Sequence, residues 1–474
     1  MLKDNCAKAG IYIHIPFCRE KCPYCNFYSV SDHSRITPFL EALLLELDLR
    51  SRPSMEVDTI YIGGGTPSIL PSHTIGMIMA SIKKNFNVLD GAEVTMEINP
   101  GTFSRERFFH DETNRGFFHD ETNRGFFHDE TNRDDVTGDG IAGELKALGE
   151  MGINRLSVGV QSFQDDKLKF LRRIHSSAKA RETLKAARDV GFGNICLDLI
   201  YGLPGENTVS WRKDMDAALG FMPDHLSCYM LSYEPGTPMY DGMKRGVIKP
   251  LGEEESAALF RDTSLYLSQR GYFHYEVSNF ARRSHPMEAG GKDFTGFARR
   301  NPQIEAGGKD FTGFDRRSHP MEAGGKDVTG SSHFVSRHNE KYWNISSYLG
   351  FGPSAHSYDA DKVLRFWNVS DVPGYIALLR QGTLPVGGRE VLTREQYLME
   401  FIMLGLRRAK GIDVHGFSKV SGHEFKIFFD NVIKRITALS WGGFEKKYSR
   451  EVFALNRDGW IFLDTVTSWF VDQL

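Results

Sequence analysis

Three of the six cysteines, Cys18, Cys22 and Cys25, crowd into eight positions with the spacing C-x3-C-x2-C, inside IYIHIPFCREKCPYCNFY (residues 11–28). Three thiolates on one tight loop can converge on three corners of an iron-sulfur cubane, leaving a fourth iron without a protein ligand. That open iron can chelate a small molecule through an amine and a carboxylate. Zinc is the rival occupant, but structural zinc takes four ligands, usually as two separated pairs, and the chain has no second cysteine pair. Cys196 and Cys228 lie in apolar runs, NICLDLI and HLSCYML, and read as buried packing thiols; Cys6 carries no signal. This is no disulfide framework, and a reducing compartment suits the crowded three.

Other residues with chemical capacity follow in order. The run IYIGGGTPS (residues 60–68) supplies Gly63, Gly64 and Gly65, whose bare backbone lets a ligand approach closely, and Thr66 adds a hydroxyl. Glu97 in MEINP, Gln161 in GVQSF and Asp198 in CLDLIYGLPG place polar groups at or inside apolar runs. A buried acid needs a partner, and a ligand-facing role is favoured for Asp198 over a structural hydrogen bond.

These groups need elements to hold them. Six short apolar runs read as strands: IYIHI from Ile11, DTIYI from Asp58, EVTMEI from Glu93, RLSVGV from Arg155, ICLDLI from Ile195 and HLSCYML from His225. Helical patterns follow most of them, as in PFLEALLLELDLR from Pro38, ELKALGEMG from Glu144 and KARETLKAARDVG from Lys179; the last two close on a C-cap glycine. Such alternation predicts parallel strands with right-handed crossovers in an α/β open or partial barrel, with chemistry just past the strand ends. The barrel core is expected over 8–235, a post-barrel region over 236–375 and a mostly helical C-terminal domain over 376–474, ending in a short hairpin and a helix. Two tandem repeats interrupt the pattern. FFHDETNRG recurs every nine residues over 108–133, and a unit built on EAGGKDFTGF recurs about every seventeen over 282–330. Neither has the apolar content of a solenoid unit, so both read as exposed, disordered loops whose histidines carry no function.

The cysteine loop with its YIHIPFC lead, the GGGTP turn, MEINPG, RLSVGVQSF and LDLIYGLPG together resemble the radical S-adenosylmethionine superfamily, in its HemN/HemW branch around oxygen-independent coproporphyrinogen III oxidase. The resemblance covers nearly all the chain outside the repeats. It implies a partial (β/α)6 TIM-like barrel, a [4Fe-4S] cluster on Cys18, Cys22 and Cys25, and S-adenosylmethionine contacts from Tyr12, Tyr24, Gly64, Gly65, Thr66, Glu97, Gln161, Arg173, Asp198 and Ser232. The oxidase has a further cysteine two residues past the position of Cys25, where this chain has Phe27. CPYCNF is instead similar to the heme-chaperone group, in which an HNxxYW motif is associated with heme binding; His338, Asn339, Tyr342 and Trp343 supply that motif. Imidazole or phenolate can ligate heme iron and Trp343 offers a broad apolar face, with His356 a second candidate ligand.

Two functions from different classes follow. In the first, a carrier binds heme and passes it to an acceptor protein, with the cluster and S-adenosylmethionine governing assembly or transfer. In the second, an enzyme, the reduced cluster cleaves S-adenosylmethionine and the resulting radical abstracts hydrogen from the propionates of coproporphyrinogen III before decarboxylation. Phe27 and the HNxxYW motif favour the carrier; no catalytic residue is assigned. A net charge of -3 lacks the basic excess that phosphate backbones attract, so nucleic acid is not expected as a partner. No apolar run reaches membrane-span length and the first ten residues are too polar for a secretory signal, so a cytoplasmic address is expected. A membrane-protein acceptor and a homodimer are carried as further expectations.

Overall fold

The computed structural model describes residues 8–102, 140–283, 334–447 and 449–474. Cys6, the first repeat block and the second from residue 284 onward lie outside them. All six expected strands are present, most of them longer than their apolar runs: β1 (Ala9–Ile15), β2 (Arg52–Gly64), β3 (Phe86–Ile98), β4 (Arg155–Gln161), β5 (Ile195–Tyr201) and β6 (His225–Met230). They pair in sequence order and all in parallel. Helices return the chain between strands. In Ile36–Leu49 the buried positions Ile36, Phe39, Ala42, Leu43, Glu46 and Leu47 recur at helical spacing and form its inner stripe. Past the helices Gly140–Glu150 and Ser177–Asp189, Gly152 and Gly191 turn the chain at φ +100 and +99, a conformation that side-chain-bearing residues rarely adopt.

Strands alternate two faces, and here the alternation separates two chemistries. Ile11, Ile13 and Ile15 of β1, Ile60 and Ile62 of β2, and Val94, Met96 and Ile98 of β3 are buried apolar residues on one face. The opposite face carries Tyr12, His14, Thr59, Tyr61, Glu93, Glu97, Ser157, Asp198, His225 and Ser227. A polar inner face is what a barrel needs to receive a polar ligand.

The sequence reading stops the sheet at six strands. The structure extends it on the β1 side, where Tyr348–Phe351 pairs parallel to β1 and His356–Asp359, Leu364–Asn368 and Val386–Val391 follow in antiparallel order. These strands are only four to six residues long and two of them, YLGF and VGGREV, contain glycine, so their alternation is faint in the sequence. The chain divides into two compact units, Met1–Leu259 with Ser336–Thr393, and Phe260–Val335 with Arg394–Leu474. The segment around His338 thus belongs to the barrel unit, where the sequence reading has a separate post-barrel region ending at 375.

The second unit has its own core. Phe417, Phe425, Phe429, Phe453 and Phe470 pack ring to ring, with centroids 4.8–5.9 Å apart. Beside short helices it contains a small sheet of Ile412–Asp413, Gly442–Lys447 and Arg450–Leu455, the last two forming the expected hairpin ahead of the helix Leu463–Val471. No helix among the described residues is long and apolar enough to cross a membrane.

Candidate functional site at the strand ends

The cysteine loop is pinned where β1 ends. Cys18 N–H donates to the carbonyl of Val30 (3.0 Å), Val30 N–H donates to that of Pro16 (2.7 Å), and Met239 N–H donates to that of Pro23 (3.0 Å). Within the loop, Cys25 N–H closes a turn on the carbonyl of Cys22 (3.1 Å). Cys18 is buried and Cys22 and Cys25 are half-buried. Burial pushes the Cys25 thiol up, and the nearby charges of Cys22 and Cys18 push it further, so the three sulfurs sit within electrostatic reach of one another. Thr66 Oγ1 lies 3.5 Å from Cys18 Sγ, and Arg173 donates toward Cys22 Sγ (3.4 Å) and Tyr24 Oη (3.4 Å). Among the described residues no three His, Cys, Asp or Glu side chains are grouped to hold a single metal ion. Three thiols on one loop, with the Arg173 guanidinium beside Cys22, supply the three donors a cluster with an open iron takes and one fewer than structural zinc takes.

The glycine turn follows β2. Gly64 has φ +112, and a Cβ there would stand 2.5 Å from His14 Nδ1; one on Gly65 would stand 2.7 Å from the carbonyl oxygen of Phe17. Both glycines therefore let the β2 turn lie against β1 and the cysteine loop. Glu97, at the end of β3, accepts from Tyr61 Oη (2.9 Å) and from Gly64 N–H (3.2 Å). Burial raises its carboxyl to about 7, the Asp198 charge adding to the rise and the two donors opposing it. Tyr12 Oη is hydrogen-bonded to His14 Nδ1 (3.0 Å), and burial lowers His14 to about 4, so its imidazole is neutral.

Gln161 ends β4 at φ +64, where a non-glycine residue is strained, beside an irregularity between Val158 and Gln161 in the pairing with β5. Arg173 reaches under it to donate to the carbonyl of Gly159 (3.0 Å). Asp198 accepts from Ser157 Oγ (2.8 Å), with Ser227 and Cys196 beside it, so protein partners already engage the carboxylate for which the sequence reading favours a ligand-facing role. Ser232 lies exposed just beyond β6. Cys196 and Cys228 are buried as expected, and burial pushes the Cys196 thiol to about 12.

The structure gathers Tyr12, Tyr24, Gly64, Gly65, Thr66, Glu97 and Arg173 around the cysteine loop and the adjoining strand ends. The HNxxYW residues lie on the helix Arg337–Trp343, whose His338 packs against the same inner face. Glu93 of β3 caps this helix, accepting from the backbone N–H groups of Arg337 (3.2 Å) and His338 (3.0 Å). Lys341 pairs with Asp58 (2.6 Å). Gly10 gives the helix room, since a Cβ there would stand 3.2 Å from His338 Cε1. His338 is 1% exposed, with Nδ1 3.0 Å from Thr59 Oγ1 and Nε2 2.9 Å from Tyr342 Oη. Burial, then the charges of Lys341 and Arg155, lower it to about 3. Asn339 and Trp343 are half-buried, and His356 is exposed with its ring stacked on Trp367 (5.7 Å). As placed, His338 is a satisfied core imidazole with no free nitrogen, and it does not fit an iron ligand without first moving.

Sequence reasoning missed Thr59, Tyr61 and Glu93. The signal was there in strand alternation, which puts Thr59, Tyr61 and Gly63 on one face of β2. It also missed the buried trio Lys167, Glu206 and Asp214.

Residues 12–218 match the Radical SAM superfamily. The chain is 29% identical to the heme chaperone HemW of Bacillus subtilis, over 89% of each chain. It is 27% identical to the radical S-adenosyl methionine domain-containing protein 1, mitochondrial, of Danio rerio, over 87% of this chain and 75% of that one. Its fold matches coproporphyrinogen III oxidase (HemN) from Escherichia coli, a radical SAM enzyme, with a TM-score of 0.68 at 19% identity, covering 99% of this chain and 91% of that one. The barrel of this chain therefore carries the match to the Radical SAM superfamily, in a protein similar to the HemW and HemN proteins.

Proposed function

We propose that the chain is a heme chaperone, which binds heme, passes it to an acceptor protein and carries a [4Fe-4S] cluster with exchangeable S-adenosylmethionine. A radical SAM domain implies the cluster and S-adenosylmethionine. Cys18, Cys22 and Cys25 would hold the cluster, which would supply an open iron for S-adenosylmethionine. The rim made by Tyr12, Tyr24, Gly64, Gly65, Thr66, Glu97, Gln161, Arg173, Asp198 and Ser232 would bind the rest of that molecule. Glu97 and the peptide groups of the glycine turn would orient its polar groups, while Arg173 balances the thiolate charge beside Cys22. Heme itself enters through the relatives named as heme chaperones and through His338, Asn339, Tyr342 and Trp343.

The observation that carries the reading is Phe27. It is 66% exposed on the cysteine loop and offers no ligand atom where the oxidase has a further cysteine. The test is anaerobic reconstitution of the full chain, followed by iron, sulfide and heme quantitation on one sample. About four non-heme irons and about four sulfides per chain, lost in Cys18→Ala, together with retained heme, support the proposal. Conversion of coproporphyrinogen III to protoporphyrinogen IX by the same sample would overturn it in favour of the decarboxylating enzyme.

A further inference from the structure

Away from the strand ends, the barrel unit carries an apolar hollow of about 420 Å³ where the helix Ile36–Leu49 meets the outer strands of the sheet. Leu49 closes that helix, Leu364 and Phe366 share one face of the strand Leu364–Asn368, and Leu384 and Val386 lead into the edge strand Val386–Val391. Leu49, Leu384 and Val386 are 46%, 38% and 39% exposed, so the apolar wall faces solvent. Ser51 and three arginines complete the lining, which contains no carboxylate.

The three arginines differ. Arg50 is buried and already engaged with Glu46 (3.0 Å) and Asn368 (2.9 Å), its guanidinium 5.0 Å from the centre of the Phe366 ring. Arg52 opens β2, and Arg389 stands opposite Phe366 in the pairing of the two outer strands. Both are exposed, and neither side chain has a hydrogen bond or ion pair among the described residues. Asp359, within reach of the Arg52 charge, is taken by Lys362 (3.0 Å). An apolar wall flanked by two free guanidiniums complements a ligand with an apolar body and two carboxylates, since a guanidinium meets a carboxylate through two parallel hydrogen bonds. A tetrapyrrole with two propionates is such a ligand, and a hollow of this size is in the range that takes small molecules. No His, Cys, Met or Tyr lines it, so nothing in it ligates a metal.

We propose that this hollow seats a dicarboxylate tetrapyrrole by its ring and its two propionates, with Arg52 and Arg389 taking the propionates and the central metal left unligated by the protein. The inference rests on the heme-chaperone reading and adds to it where the cargo is held and by which of its parts. His338 stays closed in this arrangement, bonded to Thr59 and Tyr342. A carrier that grips heme by its rim leaves the axial positions of the iron to ligands of the acceptor protein, so transfer breaks no bond between the iron and the chaperone.

The test uses the full chain. Hemin is titrated by its absorption band and metal-free protoporphyrin IX by its fluorescence, and the two dissociation constants are expected to agree within about 3-fold, because the metal makes no bond to the protein. Arg52→Gln combined with Arg389→Gln, two exposed changes, is expected to weaken both ligands about 10-fold or more. Protoporphyrin IX dimethyl ester, which lacks the carboxylates, is expected to bind the unmodified chain as weakly as the free acid binds the double variant. Hemin that binds while the metal-free porphyrin does not, or that binds the double variant as it binds the parent, overturns the seat and leaves the chaperone reading standing. Displacement of the porphyrin by an equal concentration of laurate overturns the tetrapyrrole assignment in favour of a general site for fatty anions. No hemin uptake at all sinks both the seat and the chaperone reading. The ester comparison decides the matter if the double variant does not fold.

Discussion

Glu97 shows how one buried side chain is set for a ligand. Its carboxyl is raised to about 7 by burial, against an ordinary value near 4.3 in an unfolded chain. The folded protein therefore binds this proton more tightly than the unfolded chain does. The resulting stabilisation is full below the unfolded value and is lost as pH rises through about 7, where an ionised carboxylate is left in a dry site. Glu97→Gln, which keeps an acceptor for Tyr61 and Gly64, is expected to stabilise the ligand-free protein at pH 8 by on the order of 1–3 kcal/mol, with the gain vanishing below about pH 4. Thermal unfolding of both proteins across that range checks it, and a pH-independent difference would mean that Glu97 is not buried ionised.

At the scale of elements, the loops after β4 and β5 are held by a buried charge trio that takes no part in the rim. Lys167 pairs with Glu206 and with Asp214 (2.8 Å). Asp214 accepts from Ser162 Oγ (2.8 Å), Phe163 N–H (2.6 Å) and Gln164 Nε2 (2.8 Å), which fixes the turn after Gln161. Glu206 accepts from Gly202 N–H (2.6 Å) and Leu203 N–H (3.2 Å), which fixes the turn after Tyr201. The ammonium thus offsets two carboxylates whose other bonds shape adjacent loops. Lys167→Met leaves both carboxylates buried without a cation and is expected to cost about 3–5 kcal/mol. Chemical denaturation measures the loss. Proteolysis within residues 161–176 or 202–207 ahead of global unfolding would locate it in the loops, and a variant as stable as the parent would remove the trio from the account.

For the whole molecule, every candidate site residue lies in the unit Met1–Leu259 with Ser336–Thr393. The other unit is built on an aromatic core in which Phe453 is fully buried against Phe425, Phe444 and Phe470. Phe453→Ala is expected to destabilise that unit by about 3–5 kcal/mol while leaving the iron content of the reconstituted protein unchanged. Iron analysis beside calorimetric unfolding separates the two effects, and a loss of iron would tie cluster assembly to the second unit.

The six barrel strands, the cysteine loop and the glycine turn were legible in the sequence, because alternation, short-range spacing and the conformational freedom of glycine are local properties. Phe27, too, needed only its place after Cys25. The position of His338 was not legible. Its burial depends on Thr59, Glu93 and Gly10, which are brought to it from more than 240 residues away by strand pairing and helix capping. The same holds for Asp198, whose partners Ser157 and Ser227 come from the two neighbouring strands. Sequence alone determined which groups have the chemistry for a cluster and its ligand; only the tertiary structure decided which are already satisfied by the protein, because a buried polar group's partners are set by packing between distant segments and not by its neighbours in the chain.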